Sequence, residues 1–203
     1  EQAFQSTESV YVFFFFLRNP NFWVNERHEM DYLKEWVNLL TRCEFVGVRG
    51  PLSQQLLSDY GFTRSEVIGD PALIFGRKAI VKKKKKKKLG INIGITYGKL
   101  WGDEQKVLDF VVKFSKRMIV DGWEIVFVPV WAKDLDYINE AIRQINKPIK
   151  IHREYLSLSK TLNLMQDFDL FIGEKLHSVV LSMCAYTPSI MLEYRPKCLD
   201  FMQ

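Results

Sequence analysis

From residue 89 onward the apolar positions fall into two alternating rhythms. Short runs at residues 91–96, 123–130, 149–152, 169–172 and 189–194 have the length and composition of buried strands. Between them apolar residues recur every three or four positions. Val107, Val111, Phe114 and Met118 would share one helical face, as would Leu135, Ile138, Ile142 and Ile145, and then Leu158, Leu162 and Met165. Residues 98–102 form a glycine-containing loop, Asp103 stands where the first helix needs an N-cap, and Gly122 stands where it would end. Residues 179–185 predict one more helix. Five strands separated by helices specify a parallel sheet covered on both faces, because parallel neighbours require a crossover and the crossover is right-handed. The expected domain is therefore α/β and Rossmann-like, spanning 89–203. Ligands in such sheets collect beyond the carboxyl ends of the strands.

The first part of the chain gives fewer elements. Residues 10–17 read as a strand, Met30, Leu33, Trp36, Val37 and Leu40 as one helix face, and residues 44–48 as another strand. We expect an N-terminal α/β part over 1–81. It is short for a complete domain, which suggests a fragment of a longer polypeptide or an unusually short version. There is no internal repeat.

Between the two parts lie seven consecutive lysines, 82–88, whose mutual repulsion argues for an exposed linker. They also change how the net charge of +5 is read: 5 − 7 = −2 for everything else, so the basicity is one local feature. With no interleaved aromatics and no second basic patch, nucleic acid is not an expected partner. The remaining composition, 47% hydrophobic and 26% charged, is that of a globular protein. The longest apolar run, eight residues at 10–17, is well short of the roughly 18 needed to span a bilayer. With no leader-like pattern visible, a cytoplasmic location is expected. Cys43, Cys184 and Cys198 are far apart and read as free thiols. No His and carboxylate cluster has metal-ligand spacing, and His28 and His152 match no motif.

One loop stands out. After the strand at 169–172 the chain reads Gly173-Glu174-Lys175-Leu176-His177-Ser178 and enters an apolar helix. A cation and an imidazole thus occupy a strand-to-helix turn. Lys175 could pair with a carboxylate or phosphate favoured by the helix N-terminus, and His177 could move a proton near neutral pH. A surface lysine and a half-buried histidine are the plainer alternative.

The stretch GEKLHSVVLSMCAYTPSIMLEYRPKCLDF, 173–201, resembles the closing signature of the polysaccharide pyruvyl transferase family. VRGPLSQQLLSDYGF at 48–62, VIGDPAL at 67–73 and VPVWAKDLD at 128–136 are similar to earlier parts of the same family, in the same order. The resemblance implies two Rossmann domains in a glycosyltransferase-B-like arrangement. It also implies transfer of pyruvate from phosphoenolpyruvate to a sugar, forming a cyclic ketal in exopolysaccharide or cell-surface polysaccharide biosynthesis. The acceptor would be a saccharide or lipid-linked saccharide, the location cytoplasmic with peripheral membrane association open, and no cofactor would be needed beyond the donor substrate. On this reading His177 is the general acid and Lys175 holds the donor's carboxylate or phosphate. The family typically carries arginine where Lys175 stands, and an ammonium lacks the bidentate fork of a guanidinium. Arg49 and Asp70 fall on central motif positions, although Asp70 before Pro71 also suits a turn that bonds its own backbone. Trp131 and Asp134 lie past a strand end where an aromatic face and a carboxylate could hold a sugar, with helix capping as the alternative for Asp134. Glu193, Tyr194 and Lys197 follow the last strand and would complete the pocket, with a solvated surface charge as the rival role for Lys197.

Two other functions remain open at this level. A glycosyltransferase with a nucleotide-sugar donor would use the same fold, though no Gly-x-Gly-x-x-Gly loop is present. A non-catalytic polyanion or saccharide binder would use lysines 82–88 and be indifferent to His177.

Overall fold

The computed structural model describes residues 11–12, 26–78, 87–94, 103–153 and 156–203, with backbone alone for 11–12 and 26–32. The chain divides into two compact units, 1–71 with 199–203, and 72–198. The division falls ahead of the lysine run and not at it. Lysines 82–86 lie outside the described residues. Lys87 places its ammonium 5.3 Å from the Trp123 ring centroid. Lys88 is already strand: its backbone N–H donates to Asp169 (2.8 Å) and its ammonium to Asp167 (2.6 Å). The last lysine of the run is thus part of the sheet.

The second unit has the expected alternation: β4 (Lys88–Asn92), α3 (Glu104–Val120), β5 (Glu124–Phe127), α4 (Asp134–Ile145), β6 (Lys150–Ile151), α5 (Leu158–Gln166), β7 (Leu170–Gly173), α6 (Leu176–Cys184) and β8 (Ser189–Met191), followed by α7 (Pro196–Met202), whose residues from Leu199 on count with the first unit. All strand pairs are parallel and the order is β6-β5-β4-β7-β8. In sequence order within the unit this is 3-2-1-4-5, the doubly wound Rossmann arrangement, and its order reverses between β4 and β7. Leu89, Ile91, Phe127 and Ile172 pack with Val111, Ile138 and Ile145 in the core. Asp103 caps α3 as expected, accepting from the Gln105 N–H at 2.8 Å, and Gly122 follows the helix with φ +84°. Strand ends are where expectation and structure differ. β4 starts and stops earlier than the 91–96 apolar run, whose end lies outside the described residues with the 98–102 loop. β8 ends at Met191, so Glu193 and Tyr194 belong to the loop beyond it. α6 starts at Leu176, which puts His177 in its first turn.

The first unit holds a parallel sheet ordered β1-β2-β3, with β1 (Tyr11–Val12), β2 (Val46–Val48) and β3 (Ser65–Val67), together with α1 (Glu26–Leu40) and α2 (Pro51–Asp59). The rest of the expected 10–17 strand lies outside the described residues. Leu40, Val46, Val48, Leu57 and Phe62 form its core. Pro51 opens α2, but the N-cap residue Gly50 has no side chain to close it. Asp200 substitutes from 147 residues away: its carboxylate accepts from Leu52 N (2.8 Å), Ser53 N (3.1 Å) and the Ser53 hydroxyl. Sequence periodicity carries no trace of such a long-range cap.

Candidate functional site

The strand order reverses between β4 and β7, the switch point beyond whose carboxyl ends ligands collect in such sheets, and residues 173–178 lead from β7 into α6 there. Their anchor is Asn92, the polar last residue of β4 after Leu89, Gly90 and Ile91, fully buried. Its amide donates to the Val128 carbonyl past β5 at 2.9 Å, and its carbonyl oxygen accepts the Lys175 backbone N–H at 3.0 Å. The Ser178 hydroxyl is shared between that same oxygen (3.2 Å) and the Lys175 carbonyl (2.6 Å). One carboxamide therefore ties the ends of two strands to the start of α6. Each of these groups is buried, so each bond also avoids the cost of an unsatisfied polar atom.

Lys175 occupies the N-cap of α6 and is 4% exposed. Its ammonium lies 4.6 Å from the Trp131 ring centroid and 5.4 Å from that of Tyr194. The Asp134 carboxylate is 4.0 Å away. Two aromatic faces and one anion thus hold a cation out of bulk water. Asp134 is fully buried. It is the first residue of α4, yet its carboxylate turns back and accepts the N–H groups of Val130 (3.1 Å) and Trp131 (3.0 Å). It fixes the loop that carries Trp131 and serves Lys175, with no surface left for a sugar. Gly94 is required beside it, since a β-carbon there would lie 2.0 Å from Asp134 Oδ1. Trp131, 51% exposed, covers the lysine on one side and faces solvent on the other.

His177 is exposed in the first turn of α6, where backbone N–H groups lack intrahelical partners and favour an anion. Glu193 is exposed, Tyr194 is buried, and Lys197 places its ammonium 5.4 Å from the Tyr194 ring. Lys175, Trp131, Asp134, Tyr194 and Lys197 are therefore brought together. Arg49 belongs to the first unit. It is buried there, its Nε 2.9 Å from an Asp70 carboxylate oxygen, and both side chains are at most 3% exposed. The two motif residues are partners, and Asp70 is more than a turn former.

Sequence reasoning missed three participants: Asn92, Arg195 and Glu174. Asn92 had a signal, a lone amide inside the apolar 91–96 run. Arg195 places its guanidinium carbon 5.3 Å from the Tyr194 ring. Glu174 is 1% exposed and accepts the Gly94 N–H at 2.8 Å. Burial pushes its carboxyl up to about 7, against the opposing pull of that hydrogen bond and of Lys175. Burial likewise pushes the Tyr194 phenol upward, and the Cys198 thiol up to about 11, so that thiol is no nucleophile.

The Glu174 shift has a measurable consequence. The unfolded carboxyl ionises near 4.5 and the folded one near 7. The folded state thus binds the proton more tightly, a contribution to stability complete below pH 4.5 and lost as pH rises through 7. The stability of the wild type relative to Glu174→Gln should fall by about 3 kcal/mol between about pH 4 and 8. Denaturant midpoints across that range measure it, and a pH-independent difference would show that the carboxyl titrates normally.

A parallel sheet of Rossmann order, with a buried lysine beyond its switch point, defines the chain as an α/β protein. The chain belongs to the polysaccharide pyruvyl transferase family, whose model matches residues 27–196. No curated protein sequence matches it. Among solved structures, the chain is 14% identical to a TarM variant from S. aureus in complex with fondaparinux, α-GlcNAc-glycerol and UDP, covering 81% of this chain and 32% of that one, TM-score 0.49. A UDP-GlcNAc 2-epimerase from Methanocaldococcus jannaschii is 14% identical over 74% of this chain and 45% of its own, TM-score 0.47. A glycosyl transferase family 9 structure from Veillonella parvula is 13% identical over 85% and 64%, TM-score 0.45. The chain thus spans less than two thirds of each of these proteins. Among the described residues no helix is long and apolar enough to cross a membrane.

Proposed function

We propose that the protein transfers pyruvate from phosphoenolpyruvate to two hydroxyls of a saccharide, free or lipid-linked, in the cytoplasmic assembly of a surface polysaccharide. The observation that carries this reading is the pairing of a water-excluded ammonium, Lys175, with an exposed imidazole, His177, two residues later at the switch-point end of the sheet. Family membership supplies the reaction class.

The chemistry needs both groups. The His177 imidazolium delivers a proton to the methylene carbon of the donor, which becomes a methyl group as positive charge develops on the adjacent carbon. One sugar hydroxyl adds there and gives up its proton. Phosphate then leaves with its bonding electrons, and the second hydroxyl closes the ketal and loses its proton. Of the two hydroxyl protons, one replaces that spent by His177 and one leaves with phosphate. Lys175, held in a low-dielectric box, binds the donor's anionic end more strongly than it would in water. The reading calls for no resident cofactor.

The test is phosphate release from phosphoenolpyruvate with a panel of saccharide acceptors, run in D₂O on the longest available chain. Acceptor-dependent release, with one deuterium in the product methyl, is expected. Failure with every acceptor, in a folded protein that consumes a nucleotide sugar, would replace pyruvyl transfer by glycosyl transfer.

A further inference from the structure

We infer that Asn92 is a positioning residue: its carboxamide fixes where Lys175 and His177 stand relative to the loop that carries Trp131. This deepens the proposed function by naming what sets the spacing of its groups, and it rests on that reading only for the reaction that reports the effect. Lys175 is the N-cap of α6 but makes no side-chain cap of its own. Asn92 supplies the missing acceptor from another strand: its Oδ1 takes the Lys175 N–H and the Ser178 hydroxyl, which flank Leu176 and His177. The first turn of α6, which bears the exposed His177 imidazole, is therefore held at both ends by one oxygen. The opposite end of the carboxamide donates to the Val128 carbonyl, and the Val128 N–H donates in turn to the Ile91 carbonyl at 2.8 Å. Trp131 follows in the same loop and covers the Lys175 ammonium.

The carboxamide is fully buried and its two ends are not interchangeable. A carbonyl can only accept and an N–H can only donate, so Val128 fixes the place of the amide nitrogen and Lys175 that of the oxygen. A side chain that met only one of these demands would strand a buried polar group at the other, a cost that a shift of the loop relieves. Shifts of about 1 Å at a reacting group can cost about 10²-fold in rate, so an amide that sets backbone position also sets rate.

Asn92→Asp and Asn92→Leu keep the size of the side chain and separate positioning from packing. A protonated carboxyl reproduces both ends of the amide, whereas an ionised one has no proton to donate to Val128. Relative to the wild type, kcat for acceptor-dependent phosphate release by Asn92→Asp should be within about tenfold at low pH and fall as the introduced carboxyl ionises. Asn92→Leu should lose about 10²-fold in kcat at every pH. A ratio to the wild type that does not change with pH in Asn92→Asp, or wild-type kcat in Asn92→Leu, would overturn the inference. Amide hydrogen exchange gives a readout free of the reaction: Asn92→Leu should speed exchange at Lys175 and Ser178 by at least about tenfold while Phe171 and Ile172 in β7 keep their protection. Unchanged exchange at Lys175 would equally overturn it. Ser178→Ala removes one of the three bonds to the carboxamide, should move both readouts the same way by less, and serves if Asn92→Leu does not fold. Faster exchange in Asn92→Leu, with no phosphate released by the wild type with any acceptor, would uphold the positioning role and overturn pyruvyl transfer.

Discussion

Replacing His177 by glutamine should lower acceptor-dependent phosphate release by about 10²- to 10⁴-fold, the usual worth of a positioned general acid. Glutamine keeps a hydrogen-bonding side chain of similar reach but cannot deliver a proton to carbon. Because His177 is exposed on the first turn of α6, its replacement removes little packing, and the melting temperature should stay near that of the wild type. Donor binding should also persist, since the cation proposed to hold the donor is Lys175. The loss therefore belongs in kcat and not in KM. Release that survives in the variant would move the acid elsewhere, and Glu174 is the alternative. Its carboxyl, raised to about 7, retains a proton near neutral pH. It is 1% exposed and already accepts the Gly94 N–H, which argues against it on geometry. The pH profile of Glu174→Gln would decide between them.

The sheet was legible from sequence because buried parallel strands and amphipathic crossovers have different periods, and the second unit alternates them without interruption. Strand ends were less so, since hydrophobicity does not say where pairing stops. Residues 189–194 read as one strand, yet pairing with β7 ends at Met191, leaving Tyr194 in the segment beyond, its ring centroid 5.4 Å from the Lys175 ammonium. The loop with Lys175 and His177 was singled out because topology names in advance the strand ends where ligands collect. What holds that loop was not found. Asn92 acts through partners 36, 83 and 86 residues away, and Asp200 caps α2 from 147 residues away. A polar residue at a strand end or in a C-terminal helix has many possible partners, and pairwise distance in sequence does not choose among them. Arg195 was passed over beside Tyr194 and Lys197 for a related reason: an arginine before a proline is ordinary until its guanidinium is seen against a buried ring.

Arg49 and Asp70 were singled out separately from sequence, each with its own local role, and their contact makes the second large prediction. Breaking this buried pair from one side, as in Arg49→Met, should destabilise the protein by about 3–5 kcal/mol, because a carboxylate at 2% exposure loses its cationic ion-pair partner. Asp70→Leu should cost a similar amount by leaving the guanidinium. The double variant Arg49→Met with Asp70→Leu should recover most of that loss, since two apolar side chains of comparable volume avoid the desolvation that the ion pair itself carries. Chemical denaturation of the three variants and the wild type closes the cycle, and the coupling should far exceed the roughly 0.3–0.5 kcal/mol scatter expected of independent sites. Additive losses would mean that each residue acts through other partners and that the pair is incidental. Strong coupling would assign Arg49 to holding the first unit together, so that a loss of transfer activity in Arg49→Met could be assigned to substrate only under conditions where the variant is shown to be folded.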